Sequence, residues 1–343
     1  VTIRKSAPVR RAVAAVFLML LIMIIIAGNL NTQQVSSITP VQRAAVIDSI
    51  SAALIESYIF LDVAEAMRDH LCSRLRNGAY DDLATPATFA QRLTADLQSI
   101  SHDLHLRVNA QSPLPADPGE RPDPEEQAQS RLEQLRRENF RFQKVEILPG
   151  NIGYLKFNNF IEATIAGPTA VAAMNFLANV DDLIIDLRDN GGGSPSMIQL
   201  ISSYFFEEPV HLNSFYIRHT DEWEQYWTQA HVEGPRMVAI PIYILTSERT
   251  FSAAEEFTYN LKNMERATIV GETTRGGAHP VIGCSVQFDD FRITMSIPYG
   301  RAVNPITGTN WEGTGIEPHI EVPAEEALER AVEEINNRRG SLR

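Results

Sequence analysis

A chain of 343 residues has room for about two domains, and 44% hydrophobic with 21% charged residues is the balance of a globular protein with a sizeable core. The formal net charge of −13 argues against nucleic acid as a partner, because phosphate binding needs clustered Lys and Arg. The two cysteines, Cys72 and Cys284, form no CxxC or Cys/His cluster, so a structural zinc site is excluded and two buried free thiols are expected in preference to a disulfide.

Arg4, Lys5, Arg10 and Arg11 precede an uncharged run from Ala12 to Gly28. A basic stretch followed by an apolar one predicts a signal peptide or an uncleaved membrane anchor over residues 1–28. Either way the rest of the chain is expected to be exported, periplasmic or extracellular, or tethered to the membrane by this segment. A buried core helix explains the run poorly, since nothing polar interrupts it.

Three amphipathic helices are predicted next. The first covers roughly Pro40 to Ser57, with Val46, Ile47, Ile50, Ala53 and Leu54 at helical spacing. The second runs from about Asp62 to Asn77 and stops at Gly78, a plausible C-cap. The third starts at Thr85 or Pro86 and places Phe89, Leu93 and Leu97 on one face. Short helices of this kind bury their stripes against one another, which predicts a small helical domain over 38–110. From 111 to 142 five prolines mix with Asp and Glu, an acidic Pro-rich linker that turns helical near Glu126–Glu138 and is too short for another ordinary domain.

Residues 143–325 alternate strand and helix patterns. Ile152–Phe157, Leu183–Leu187, Ile240–Leu245 and Ala267–Val270 read as strands, the middle two largely apolar, as in a sheet covered on both faces. Helices are expected over Pro168–Ala178, from Pro195, and over Ala253–Asn263, with an amphipathic C-terminal helix in 326–343. The rhythm predicts an α/β fold of parallel βαβ units, whose sites form at the strand C-termini.

Ser252 lies between an apolar strand and a helix, where backbone N–H groups and the helix dipole favour developing negative charge. It reads either as an acyl-transfer nucleophile or as an N-cap serine. Gly191-Gly192-Gly193 also joins a strand to a helix. It suits an oxyanion hole or a plain tight turn, and it lacks the spacing of a phosphate-binding loop. His102 and His105, in Ser101–Arg107, and His279, in a glycine-rich loop, are the candidate bases, and Glu312 is a loop carboxylate that could orient one.

Four motifs then occur in order: Leu183-Ile-Ile-Asp-Leu-Arg-Asp-Asn-Gly-Gly-Gly193, Thr246-Ser-Glu-Arg-Thr-Phe-Ser-Ala-Ala-Glu-Glu256, Val270-Gly-Glu-Thr-Thr-Arg-Gly-Gly-Ala-His-Pro280, and Glu312-Gly-Thr-Gly-Ile-Glu-Pro-His-Ile320. Together they resemble the tail-specific (C-terminal-processing) serine protease family. Glu56–Phe60 and His102–Val108 are similar to its branch related to interphotoreceptor retinoid-binding protein and tricorn protease. The resemblance implies a ClpP/crotonase-like core behind a small N-terminal helical domain. It implies Ser252 as nucleophile and Gly192 and Ala253 as oxyanion donors, with no cofactor or metal. Where the family's Ser–Lys dyad has its lysine, this chain has Gly277, and Lys262 falls outside any motif. The resemblance therefore implies the other variant, with His105 as base and Glu312 as its acid partner; His279 stays as a secondary candidate on its own position. Tricorn protease has a serine linking histidine to glutamate; here Leu104 precedes His105, so Glu312 must reach the histidine directly or through water. The expected activity is hydrolysis of exported polypeptides through an acyl-enzyme. The rival from another class is a non-catalytic carrier of apolar ligands such as retinoids or fatty acids, which would not need Ser252, His105 and Glu312 together.

Overall fold

The computed structural model describes residues 37–115 and 123–341; the segment 1–28, read above as a signal peptide or anchor, lies outside them. Three helices come first: α1 (Pro40–Ser57), α2 (Leu61–Arg76) and α3 (Pro86–Ser101). The starts of α1 and α3 are written locally. Thr39 and Thr85 each accept a hydrogen bond from the backbone N–H three residues on, with proline at the first helical position. The predicted stripe residues Val46, Ile47, Ile50, Leu54, Phe89, Leu93 and Leu97, with Met67 and Leu71 of α2, all pack into one cluster.

That cluster also contains Phe291, Ile293, Met295 and Ile297, from far along the chain. They belong to a three-stranded antiparallel sheet in which β1 (Arg107–Gln111) pairs with a late strand, described below, across the helical region. Helix α4 (Pro124–Arg137) follows in the acidic segment and buries none of its side chains.

The centre of the molecule is a six-stranded sheet. Strands β2 (Phe142–Leu148) and β3 (Ile152–Phe157) form an antiparallel pair, and α5 (Ala163–Phe176) leads to β4 (Asp182–Asp186). Helix α5 starts five residues earlier than the predicted Pro168. Its first N–H is held by the Ser196 hydroxyl at 3.0 Å, a tertiary contact in place of a local cap, and Pro168 sits inside the helix. Helix α6 (Pro195–Ser202) then precedes the antiparallel pair β5 (His211–Ile217) and β6 (Glu222–Trp227). Next come β7 (Ile242–Thr246), α7 (Ala253–Asn263), β8 (Ala267–Gly271), the hairpin of β9 (Val281–Gln287) and β10 (Arg292–Pro298), then β11 (Gly300–Val303), β12 (Ile320–Glu321) and α8 (Ala327–Ser341). The central order is β12-β8-β7-β4-β3-β2, parallel from β12 to β3.

Both faces of this sheet are covered. Leu155, Leu183, Ile185 and Ile244 pack against α5, α6 and α7, while Tyr154, Ile184, Tyr243 and Leu245 pack against Ala327, Ala331 and Ile335 of α8. Two-sided burial explains why β4 and β7 are buried at every position. Asp182, fully buried at the start of β4, clamps α8 through Arg338 at 2.5 Å and Arg339 at 2.5 Å. Cys72 and Cys284 are free and half-buried, less enclosed than expected.

Candidate active site

The loops at the C-terminal ends of β4, β7 and β8 meet, as the parallel topology requires. Two of them are tied by Asn190. Its carbonyl accepts the Phe251 N–H at 3.1 Å, its Oδ1 accepts the Gly192 N–H at 2.9 Å, and its Nδ2 donates to Phe157 O at 2.9 Å. The Thr250 hydroxyl adds a bond to Leu187 O at 2.9 Å.

This scaffold holds Ser252 at φ 58°, ψ −122°, a conformation sparsely populated by any residue with a Cβ. Its N–H donates to Glu255 Oε2 at 2.8 Å. Glu255 is fully buried and also accepts the Gly276 N–H at 2.6 Å, the Gly277 N–H at 2.9 Å and the Thr274 hydroxyl at 2.5 Å. One carboxylate therefore bolts the Ser252 turn to the glycine-rich loop after β8. Burial pushes its pKa up, opposed by these four donors. Glu255 was not among the expected site residues, although Ser252-Ala-Ala-Glu255 has the Ser-x-x-Glu spacing of a capping box.

The glycine run is packed flush against this turn. A Cβ on Gly192, whose φ is +105°, would lie 2.7 Å from Ser252 Cβ and 3.0 Å from the Ala253 nitrogen. The Gly192 amide, the expected oxyanion donor, is already committed to Asn190. Gly193 lines a cavity of about 270 Å³ together with Ser252 and Ala253. The amides of Gly193 and Ala253 carry no hydrogen bond within the described residues.

His105 is 9% exposed, and its ring lies 4.5 Å from that of Phe251, the residue before the serine. Both ring nitrogens are buried without a partner. Its position is fixed through the backbone: Asp103 Oδ1 accepts the His105 N–H at 2.9 Å, and the His105 carbonyl accepts the Ser296 hydroxyl at 2.6 Å. Desolvation lowers its pKa to about 4, against the pull of Asp103. The ring leaves no room for a side chain at position 277. A Cβ on Gly277 would sit 2.7 Å from His105 Cε1 and inside contact distance of the Phe251 ring.

His279 also comes to the site and lines the cavity with Ser252. Its Nδ1 lies 2.6 Å from Asp103 Oδ2 and 3.6 Å from Glu312 Oε2, and Phe60 meets its ring edge-on at 5.8 Å. Burial alone would lower its pKa, but the Asp103 hydrogen bond and the charges of Glu312 and Asp103 outweigh that and raise it. Glu312 accepts the Ala278 N–H at 2.5 Å, while its Oε1 is buried and unpaired. Desolvation raises Glu312 to about 7, the His279 charge opposing and the Asp103 charge adding.

Glu312 thus lies near His105 without bonding it. Ligand atoms of Asp103, His105 and Glu312 fall within 4.8 Å of one another, the one such donor group among the described residues close enough to share a cation. Asp103, whose Oδ1 stands 3.8 Å from His105 Nδ1, connects both histidines and was not among the expected site residues. Its Asp-x-His spacing was the available signal. His102, by contrast, caps α3 in the left-handed conformation and is exposed.

A parallel α/β core of the ClpP/crotonase type, carrying a strained serine where its loops converge, defines the class of serine hydrolases built on this fold. The chain belongs to peptidase family S41, whose model matches residues 151–322, and residues 33–149 match the N-terminal domain of that family in eukaryotic interphotoreceptor retinoid-binding protein. It is a serine-type peptidase by family. Among solved structures it is similar to a putative peptidase from Parabacteroides merdae (TM-score 0.57, 18% identity, 87% of this chain and 96% of that one). It is also similar to the photosystem II D1 C-terminal processing protease (TM-score 0.50, 15% identity, 84% and 94%). A third likeness is to tricorn protease (TM-score 0.52, 12% identity), where 85% of this chain covers 35% of the other.

Proposed function

We propose that this protein hydrolyses peptide bonds of exported polypeptides through an acyl-enzyme on Ser252, with His105 as general base. The observation that carries the reading is the backbone of Ser252, held off the favoured regions by a fully buried glutamate beside two unbonded amides. Strain of this kind persists only where the surroundings over-determine it, and a plain N-cap serine needs none. An apolar-ligand carrier would have no use for it either.

The reaction follows from the parts. A peptide carbonyl carbon above Ser252 is attacked by Oγ as the proton passes to His105. His105 is neutral at pH 7 and both its nitrogens are unbonded, so it can take that proton. The imidazolium then faces Asp103 and Glu312. The amides of Ala253 and Gly193 receive the oxyanion; Gly193 replaces Gly192 in this role because the Gly192 N–H is taken. Collapse expels the amine with the proton from His105, and water repeats the sequence to release the acid.

The test is hydrolysis of an unfolded protein substrate by Ser252→Ala, His105→Ala and His279→Ala. Loss of at least about 1000-fold is expected for the first two, and about 10–100-fold for His279→Ala, which holds the acid pair. His279 has its own claim, since it lines the cavity and is paired with Asp103. The reverse order of the two histidine effects would make His279 the base. Activity unaffected by Ser252→Ala would end the reading.

A further inference from the structure

Glu256 stands one helical turn, about 5.4 Å, beyond Ser252 on the same face of α7. It is 4% exposed and lines the same cavity as Ser252. Its Oε1 is buried with no hydrogen-bond partner, and no Lys or Arg lines the cavity. Four aromatic residues, Phe215, Tyr226, Tyr299 and Trp311, share the lining with Pro195, Val281 and His279, whose Nδ1 is turned to Asp103 at 2.6 Å. The Tyr226 hydroxyl is turned to Glu224 at 3.0 Å and so does not serve Glu256. With the Asn213 amide as its one side-chain donor and Oε1 unpaired, this buried carboxyl has room for a further donor. Burial pushes it up to about 8, with the Asn213 amide offsetting part of that, so it is largely the neutral acid near pH 7.

We propose that this cavity receives the side chain on the acyl side of the scissile bond and that Glu256 makes it select lysine or arginine. This rests on Ser252 being the nucleophile. The aromatic walls suit the long methylene stem and stabilise a cation passing between them. The depth suits it too, since a side chain entering beside Ser252 must span about one helical turn to reach the carboxyl. A leucine or alanine at this place would leave the acid unsatisfied. Arrival of a cation lets Glu256 ionise, its proton going to solvent, and the buried pair completes the hydrogen bonding of both partners.

The experiment uses the full chain and peptides that differ only in the residue before the scissile bond: lysine, arginine, or norleucine as the apolar match for lysine. Wild type is expected to favour lysine over norleucine by about 100-fold in kcat/KM, and Glu256→Gln to bring that ratio to about one. The ratio is internal to each variant and is independent of how much enzyme folds. A wild-type ratio near one, or a ratio that survives Glu256→Gln, overturns the proposal. Fluorophosphonate labelling of wild-type Ser252 separates the two failures. If Ser252 is labelled and the ratio is one, the selectivity proposal alone fails; if Ser252 is not labelled, the nucleophile fails and the proposal with it.

Discussion

Ser252 was legible as a junction serine, and its local pattern fitted capping as well as catalysis. What the pattern could not carry is the φ of 58°, which Glu255, tied to the loop after β8, and Asn190, after β4, hold in place. That strain is measurable. Ser252→Gly should be more stable than Ser252→Ala by about 1–2 kcal/mol in urea denaturation, since only glycine adopts this backbone freely, and both variants should be inactive. Gly277 yields a second residue-scale prediction. A methyl group there meets His105 and the Phe251 ring, so Gly277→Ala should lower kcat about 100-fold with the protein still folded by circular dichroism. Glu312 lies more than two hundred residues beyond Asp103 and His105 in the chain. The candidacy of His105 and Glu312 could be read from the residues; that of Asp103, and the meeting of all three, required the fold. Gly192 shows the limit in the other direction: the motif marks a donor loop, but which amide is free depends on where Asn190 points.

At the scale of elements, the helices of residues 40–101 were legible because their caps and stripes are local and strictly periodic. The strands β4 and β7 were legible because burial on both faces leaves largely apolar runs in place of alternation. The hairpin pairs β5–β6 and β9–β10 were not. Strand β6 is exposed at five of six positions and β9 at five of seven, so neither carries a clear apolar alternation. That omission matters, because β10 joins the helical region to the core and presents the Ser296 hydroxyl to His105. A second tie is Arg218, at the end of β5. Its guanidinium donates to the carbonyls of Ile55, Glu56 and Tyr58 at the C-terminal end of α1, at 2.6–2.7 Å. These are the carbonyls a helix leaves unpaired. Arg218→Ala should therefore destabilise the protein by about 2 kcal/mol or more in denaturant melts. It should also lower kcat/KM more than Arg218→Lys does, by loosening the region that carries His105.

For the whole molecule, burial of acids sets the pH response. The pKa of Glu312 is raised to about 7, so it takes up a proton as pH falls through that value and no longer balances an imidazolium. The pH profile of kcat/KM should have an acid limb near 7 that Glu312→Gln removes, while His105, held near 4, draws no limb in that range. Glu256 acts on stability with the opposite slope from a salt-bridged acid. Its folded pKa of about 8 exceeds that of an unfolded glutamate, so the native state binds the extra proton between the two values. The corresponding stabilisation is complete at low pH and is lost as pH rises towards 8. Glu256→Gln should then raise Tm relative to wild type more at pH 8 than at pH 5.

The central claim is that Ser252 is a nucleophile in the folded protein. Mass mapping after treatment with a fluorophosphonate tests it most directly. The account predicts one covalent adduct, on Ser252, formed by native protein, slowed strongly by His105→Ala and absent after unfolding. A native protein that forms no adduct, or forms it on another serine, would contradict it.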